Sequence, residues 1–218
     1  MNWPLTAVCV LALFPGCTCE EIAPARPAIT SAFTDNFDRA ELGPDWIATD
    51  ENHDAYKIVD GALVVSKSYN HPLWLARRIP RDVTIELDCW SMDDAGDLKV
   101  EVWGDGHSFS TDRVGQYTST AYNFIFGGWH NQISTLARMH EHGEDRQTRR
   151  APAVEKGRHY HWTITRKGGH IDWAIDGQPF LAFDDTSPLE GDGHSYFAFT
   201  NWEAELHFDN LKITPLTK

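Results

Sequence analysis

The sequence predicts an all-β fold, an antiparallel sandwich of two sheets, and three observations support this prediction. Apolar residues recur at every second position in several runs, of which Val83-Ile85-Leu87-Cys89 is the clearest, and no stretch sustains a capped helical period. Dipeptides that suit tight hairpin turns, such as Asp60-Gly61, separate neighbouring runs. About a dozen predicted strands follow one another at short intervals, which is typical of antiparallel β-sandwiches and not of parallel α/β folds.

The predicted strands can be placed in chain order. The runs lie at residues 56–59, 62–65, 83–90, 98–103, 160–165, 171–175 and 179–183, and two more long runs lie between Ser195 and Ile213. Asp60-Gly61 joins the first pair, and Lys167-Gly168-Gly169 and Asp176-Gly177 join the three runs that begin at residue 160. The most polar insertion, residues 140–156, is predicted to be a long loop or a mobile hairpin. Together these runs form one domain over residues 31–218.

Composition and charge exclude several classes of protein. Of 218 residues, 41% are hydrophobic and 23% are charged, and the nine Trp, eleven Phe and six Tyr are too many for a disordered chain. The 19 basic residues stand against 32 acidic ones, which gives a net charge of −13 with His neutral. Because such a chain repels phosphate backbones, we predict no nucleic-acid partner.

The first 25 residues are predicted to be a signal peptide and the start of a tether, followed by a linker over residues 26–30. The apolar run from Leu5 to Pro15 is about half the length of a membrane-spanning helix but suits a signal-peptide core. Gly16-Cys17 resembles a bacterial lipoprotein cleavage box, which makes Cys17 the predicted lipidation site; an alternative cut follows Ala25. We expect an extracytoplasmic protein, an outer-envelope lipoprotein or a secreted one, that contacts a membrane only through that lipid.

Sequence segments at both ends of the domain, and two hairpins between them, resemble those of a known superfamily. The opening Phe33-Thr34-Asp35-Asn36-Phe37-Asp38-Arg39, the hairpin Val59-Asp60-Gly61-Ala62-Leu63 and the closing Phe208-Asp209-Asn210-Leu211 resemble the concanavalin A-like lectin/glucanase jelly roll. The hairpin around Asp176-Gly177 is similar to one in that superfamily. The resemblance implies two curved sheets, with polysaccharide bound or cleaved on the concave face.

Candidate catalytic residues follow from the same resemblance. Glucanases of the superfamily carry a strand motif Glu-x-Asp-x-Glu, and the nearest match here is Glu86-Leu87-Asp88-Cys89-Trp90, in which Trp replaces the last carboxylate. We predict that Glu86 and Asp88 share one strand face and that Glu101, on the next strand, replaces the missing acid across the ladder. The alternative is that both are the polar side of a half-exposed strand.

Candidate carbohydrate-binding residues are aromatic, amide and charged side chains with which sugar rings could stack or form hydrogen bonds. Trp90 and Trp103 are predicted to lie on the same face as Glu86, Asp88 and Glu101. The remaining candidates are Lys99, Asn123, Trp129, His130, Asn131, Trp202 and Glu203. For each Trp, packing between the sheets is the competing interpretation.

No cofactor is expected to be required, but Asp35, Asp38 and Asp209 could hold a structural calcium ion if the terminal strands pair. Asp residues that cap turns are the alternative. For function, the first hypothesis is a surface-tethered protein that binds a polysaccharide or oligosaccharide. The second is a glycoside hydrolase or polysaccharide lyase with a divergent carboxylate site. The third is a structural envelope protein that binds no sugar.

Overall fold

The computed structural model describes residues 26–49, 53–111 and 117–216, so the predicted signal segment and Cys17 lie outside the described residues. The strands are β1 (Phe33–Asp35), β2 (Trp46–Ala48), β3 (Tyr56–Val59), β4 (Ala62–Val65), β5 (Leu73–Leu75), β6 (Val83–Ser91), β7 (Leu98–Gly104), β8 (Thr118–Gly127), β9 (Ile133–His140), β10 (Gln147–Arg149), β11 (Tyr160–Lys167), β12 (His170–Ile175), β13 (Gln178–Asp184), β14 (Tyr196–Thr200) and β15 (Leu206–Pro215). A 3-10 turn covers His53–Ala55, and a helical turn, α1, covers Gly128–Asn131. Among the described residues, no helix combines the length and the hydrophobicity needed to span a bilayer.

The strands form two antiparallel sheets, which confirms the predicted sandwich. The eight-stranded sheet has the order β13-β12-β11-β6-β15-β4-β3, and β1 also pairs with β15. The seven-stranded sheet has the order β10-β9-β8-β7-β14-β5-β2. The predicted hairpin turns join β3 to β4 and β12 to β13. Asp60 and Gly61 have φ values of 50° and 79°, and Asp176 and Gly177 have values of 52° and 72°, the left-handed backbone that such two-residue turns require.

The core lies between the sheets and is rich in aromatic side chains. In β6 and β11 alternate residues are buried, as the apolar period predicted. Trp162 and Trp173 pack edge to face at 4.6 Å, and Phe199 of one sheet meets Phe208 of the other at 4.5 Å. Each buried ring of this size contributes several kcal/mol, about 25 cal/mol per Å² of apolar surface removed from water.

Strands β6 and β7 belong to different sheets, which corrects the prediction of one shared face. The partners of β6 are β11 and β15, whereas those of β7 are β8 and β14. Glu86 and Asp88 therefore face outward from the eight-stranded sheet, and Glu101 faces outward from the seven-stranded sheet on the opposite side of the sandwich. The predicted ladder contact between Glu101 and the Glu86–Asp88 pair is wrong, because the connection after β6 crosses to the other sheet.

Trp103 lies in the core, so its predicted place on a sugar-facing surface is also wrong. The register between β7 and β14 shifts at this point, since Phe197 pairs with Val102 and Tyr196 with Gly104. The extra residue, Trp103, has a φ of 61° and turns inward. Its buried ring meets Tyr122 edge to face at 5.8 Å.

The terminal strands pair as expected, but Asp35 is committed to protein partners rather than to a cation. Arg39 donates two hydrogen bonds to its carboxylate at 2.5 and 2.8 Å, and Trp46 Nε1 donates another at 2.8 Å. Burial would raise the pKa of Asp35, but these hydrogen bonds hold it below its usual value. Within the described residues, no group of three or more His, Cys, Asp or Glu is arranged to hold a metal ion. The calcium expectation for Asp35, Asp38 and Asp209 therefore gains no support.

Residues 26–30, predicted as a linker, pack against the sandwich. The Ile29 amide donates to Arg78 O, and the Arg78 amide donates to Pro27 O, both at 2.8 Å. At the other end of the described chain, the Leu216 amide donates to Asp82 O at 3.0 Å. Both ends are thus tied to the short segment from residue 78 to residue 82.

Candidate functional site

A cleft of about 420 Å³ opens on the outer face of the seven-stranded sheet. Its walls come from the start of β7, the end of β8, α1, the turn after β9 and the loop between β14 and β15. The lining residues are Asn70, Ala95, Asp97, Lys99, Ile125, Gly128, Trp129, His130, Glu141, His142, Trp202, Glu203 and Ala204. This volume lies in the range of small-molecule and cofactor sites.

A buried ion pair forms part of the cleft wall. The Lys99 ammonium, on a side chain only 2% exposed, donates to Glu141 Oε2 and to Asn70 Oδ1, both at 2.8 Å. Burial alone would lower the pKa of Lys99, but the neighbouring carboxylates, with Glu141 first, raise it. For Glu141, burial would raise the pKa, but Lys99 holds it below its usual value. Both shifts keep the pair charged and fix the two side chains in place.

Glu101 lies on the same face of β7 but is fully buried beside the cleft rather than lining it. Its Oε2 accepts hydrogen bonds from Ser119 Oγ at 2.5 Å and Tyr117 OH at 3.3 Å. Its Oε1 is buried without a partner among the described residues. The same is true of Oδ1 of Asn123, the residue of β8 that pairs with Glu101. Burial raises the pKa of Glu101 to about 7. Such a carboxyl group is partly protonated near neutral pH.

Asp97 is a cleft residue that the sequence analysis missed. Its Oδ2 accepts the backbone N–H of Trp202 at 2.8 Å. Burial raises its pKa to about 6, against the opposing effect of Lys99. The sequence contained a signal for it, because Asp97, Lys99 and Glu101 follow one another at every second position, the spacing of residues on one side of a strand. In the structure Asp97 lies just before β7 with a φ of 65°.

A left-handed turn presents Trp129 and His130 to the cleft. Trp129, His130 and Asn131 have φ values of 51°, 57° and 61°, which cost about 1–2 kcal/mol each for non-glycine residues. The Asn131 amide group holds the turn, since its Nδ2 donates to Val154 O at 2.7 Å and its Oδ1 accepts the Val154 amide at 2.8 Å. Asn131, predicted as a carbohydrate ligand, does not line the cleft, and its side chain supports its two neighbours.

The two cleft tryptophans have neighbours that set their orientation. The Trp129 ring lies 5.5 Å from the Arg146 guanidinium and 5.3 Å from the His142 ring. Trp202 meets the edge of Tyr69 at 5.1 Å. These contacts restrain both indoles while each still lines the cleft.

The outer face of the eight-stranded sheet carries the other predicted residues. Lys212 donates to Glu86 at 3.0 Å, and Asp88 accepts from Asn210 Nδ2 at 2.9 Å. Trp90 is stacked on His159, the residue before β11, at 4.0 Å and on His207 of β15 at 5.1 Å. A sugar ring that stacked on Trp90 would have to displace one of these imidazoles.

The structure therefore divides the predicted site residues into four groups. Lys99, Trp129, His130, Trp202 and Glu203 come together in the cleft. Glu101, Asn123 and Asn131 lie beside or beneath it. Glu86, Asp88 and Trp90 lie on the opposite side of the sandwich, and Trp103 lies in the core.

Comparisons with known proteins relate the sandwich to a family and to solved structures. A sequence profile of the family described as "Farnesoic acid 0-methyl transferase" matches residues 92–212. This stretch contains every cleft residue except Asn70. No curated protein matches the sequence.

Solved structures share the fold at low sequence identity. A lichenase from a mouse hindgut metagenome has a TM-score of 0.60 at 10% identity and covers 85% of this chain and 100% of its own. A protein with a galectin-like fold from Bacillus subtilis has a TM-score of 0.61 at 11% identity, over 84% and 94%. Carbohydrate binding module CBM66 from Bacillus subtilis has a TM-score of 0.56 at 13% identity, over 79% and 97%. These likenesses confirm the fold predicted from the sequence, a jelly-roll sandwich of two antiparallel sheets.

Proposed function

This chain belongs to the family described as "Farnesoic acid 0-methyl transferase", and we propose that it acts as a carbohydrate-binding protein through the cleft on its seven-stranded sheet. The activity in that description is a statement about the family, and a fold or family name does not by itself assign the chemistry of one member. The fold neighbours include glycan-cleaving enzymes and a carbohydrate binding module, which supports a carbohydrate ligand as a class.

The observation that carries the proposal is the make-up of the cleft. Trp129 and Trp202 line it beside the fixed polar groups of Asp97, Lys99 and Asn70. Sugars need both kinds of partner, because their C–H faces pack on aromatic rings while their hydroxyl groups form hydrogen bonds. A polar floor held by a buried ion pair is already organised before the ligand arrives, which lowers the entropic cost of binding.

The test measures retention and cleavage in one experiment. The purified protein is incubated with plant, algal and bacterial polysaccharides, and both protein depletion and oligosaccharide release are measured. We expect depletion by at least one polysaccharide, with retention reduced roughly tenfold or more in Trp129→Ala and Trp202→Ala. Trp90→Ala, on the opposite face, is the matched control and should bind as the parent does. Unchanged retention in both cleft variants would refute the site, and no binding to any glycan would favour a structural envelope role.

Hydrolysis or lyase chemistry is the second candidate, and one observation favours it. Burial raises the pKa of Asp97, which lines the cleft, to about 6, and that of Glu101, which lies beside the cleft on β7, to about 7. A general acid in a glycosidase needs such a shift. Release of oligosaccharides by the parent protein that disappears in Asp97→Asn would establish an enzyme. Glu86→Gln, on the other sheet, should leave any release unchanged.

Export and tethering are proposed from the sequence of the first 25 residues alone. If Cys17 carries a lipid, the protein will fractionate with membranes, and Cys17→Ser will release it into the soluble fraction. Mass spectrometry of the N-terminal peptide distinguishes cleavage before Cys17 from cleavage after Ala25. Recovery of an intact N-terminus starting at Met1 would contradict export.

A further inference from the structure

The cleft contains more negative than positive charge. Three carboxylates line it, those of Asp97, Glu141 and Glu203, together with a single ammonium, that of Lys99. Lys99 and Glu141 neutralise each other at 2.8 Å. In the part of the chain that the structure describes, Asp97 and Glu203 have no ion-pair partner. Asp97 and Glu203 are therefore the two carboxylates that remain available to a ligand, and Lys99 and His130 act on Asp97 only from beyond ion-pair distance.

Both carboxylates also have free acceptor oxygens. Asp97 accepts a single hydrogen bond, from the Trp202 amide to Oδ2, so its Oδ1 has no partner among the described residues. Glu203 is exposed at the rim and accepts no hydrogen bond from the described residues. A ligand in the cleft meets acceptors and negative charge at its floor and at its rim.

The aromatic lining favours the same sign of ligand charge. Indole faces attract cations, and the Arg146 guanidinium already lies 5.5 Å from the Trp129 ring. Carboxylates beside aromatic rings in a half-enclosed space attract an ammonium more strongly than they would in open water. The net charge of −13 acts in the same direction at longer range.

We propose that the cleft binds glycans whose sugar units carry protonated amino groups and discriminates against glycans that carry carboxylate or sulfate. This inference rests on the proposed carbohydrate-binding function. A 2-amino sugar offers both complementary features within one unit, a C–H face for Trp129 or Trp202 and an ammonium for Asp97 or Glu203. A uronate in the same place would put its carboxylate beside Asp97 or Glu203, while the Lys99 ammonium is already paired with Glu141 and the Arg146 guanidinium already lies against Trp129.

The test compares three oligosaccharides of equal length on the full protein at neutral pH and low salt. They are a glucosamine oligomer, its fully N-acetylated form and an oligogalacturonate. We expect the glucosamine oligomer to bind roughly tenfold more tightly than the acetylated form, and the galacturonate to bind most weakly. Because salt screens the charge contribution, the advantage of the amino form should shrink at about 1 M salt.

Variants assign the effect to the cleft carboxylates. Glu203→Gln should remove most of the preference for the amino form while leaving affinity for the acetylated form within about twofold. Asp97→Asn should lower the ratio of the two affinities as well, whatever it does to the affinity for both forms together. The exposed Glu203 side chain forms no hydrogen bond or ion pair with the described residues, so its variant should fold and remains informative if Asp97→Asn is unstable. Glu205→Gln, an exposed glutamate that does not line the cleft, is the control.

The outcomes separate the two proposals. Equal or tighter binding of the galacturonate, or binding of neutral glycans only, overturns this inference and leaves the carbohydrate-binding function standing. Failure of every glycan, neutral or charged, to bind the folded protein overturns both.

Discussion

The two outer faces of the sandwich carry similar residues in the same alternating pattern but place them in different surroundings. On β6, Glu86 and Asp88 are about one-third exposed, with side-chain values of 32% and 33%. On β7, Lys99 is 2% exposed and Glu101 is fully buried, because loops cover this face of the sheet. The alternation of apolar and polar residues in the sequence therefore identifies a polar face of a strand. The loops that cover the face decide whether its charged groups are buried and interact strongly.

The two faces should differ most in the free energy of unfolding that is lost when one partner of an ion pair is removed. Lys99→Met leaves the Glu141 carboxylate buried without its cation, so we expect a loss of about 3–5 kcal/mol in the free energy of unfolding. Lys212→Met removes the exposed partner of Glu86 and should cost less than about 1 kcal/mol. Urea denaturation with a shared m-value measures both. Equal losses would show that the loops do not isolate the covered face from water.

The covered face should also give the protein a pH-dependent stability. Because the folded state raises the pKa of Glu101 from 4.5 to about 7, the folded state holds that proton more tightly than the unfolded state does. This contribution is complete below about pH 4.5 and is lost as the pH rises through about 7. The difference in stability between the parent and Glu101→Gln should therefore change by on the order of 2–3 kcal/mol over this interval. A pH-independent difference would place Glu101 in a solvated environment.

A smaller difference in stability and in glycan retention is expected between alanine variants of two asparagines that have a left-handed backbone. Asn131→Ala removes the bonds that hold α1, so we expect a loss of about 1–2 kcal/mol and weaker glycan retention, because Trp129 and His130 lose their support. Asn210, at a φ of 50° on the open face, bonds to Asp88. Asn210→Ala should cost less than about 1 kcal/mol and leave retention unchanged. Retention that falls equally in both would remove the link between α1 and binding.

The smallest effect on stability and binding is expected for Glu86 and Asp88, the two carboxylates of the glucanase-like sequence motif. Glu86→Gln and Asp88→Asn alter exposed pairs on the face opposite the cleft, so each should change stability by less than about 1 kcal/mol. Neither should alter glycan retention. A binding or cleavage defect in either variant, with unfolding unchanged, would move the functional site to the eight-stranded sheet.

The sequence was sufficient for the fold because its turn and period signals are local. Asp60-Gly61 and Asp176-Gly177 predicted hairpins that the structure has, and the alternation in β6 predicted which of its residues are buried. The partner of each strand was not predictable in the same way. The segment between Ser91 and Leu98 is short enough for a hairpin within one sheet, yet it crosses between sheets.

The candidate site was only partly predictable for two physical reasons. Trp103 is a single bulged residue, so its side chain points into the core, although the alternation of apolar and polar residues along β7 gives no sign of the bulge. Asp97, by contrast, could have been found from the sequence, because it stands two positions before Lys99 and four before Glu101. Trp129, His130 and Trp202 were recognised by residue type, but their meeting in one cleft depends on loops that approach from distant parts of the chain.

The contacts of residues 26–29 and 216 with the segment from residue 78 to residue 82 make the described chain nearly a closed ring. Phe33 also faces Ile213 across the β1–β15 pair. Because residues 26 and 216 are both held at this segment, a short peptide could join these two positions, and new ends could be opened at the exposed Asp176-Gly177 turn without breaking a strand. The cleft lining includes no residue of this seam or of that turn, so a chain permuted in this way should keep the cleft intact.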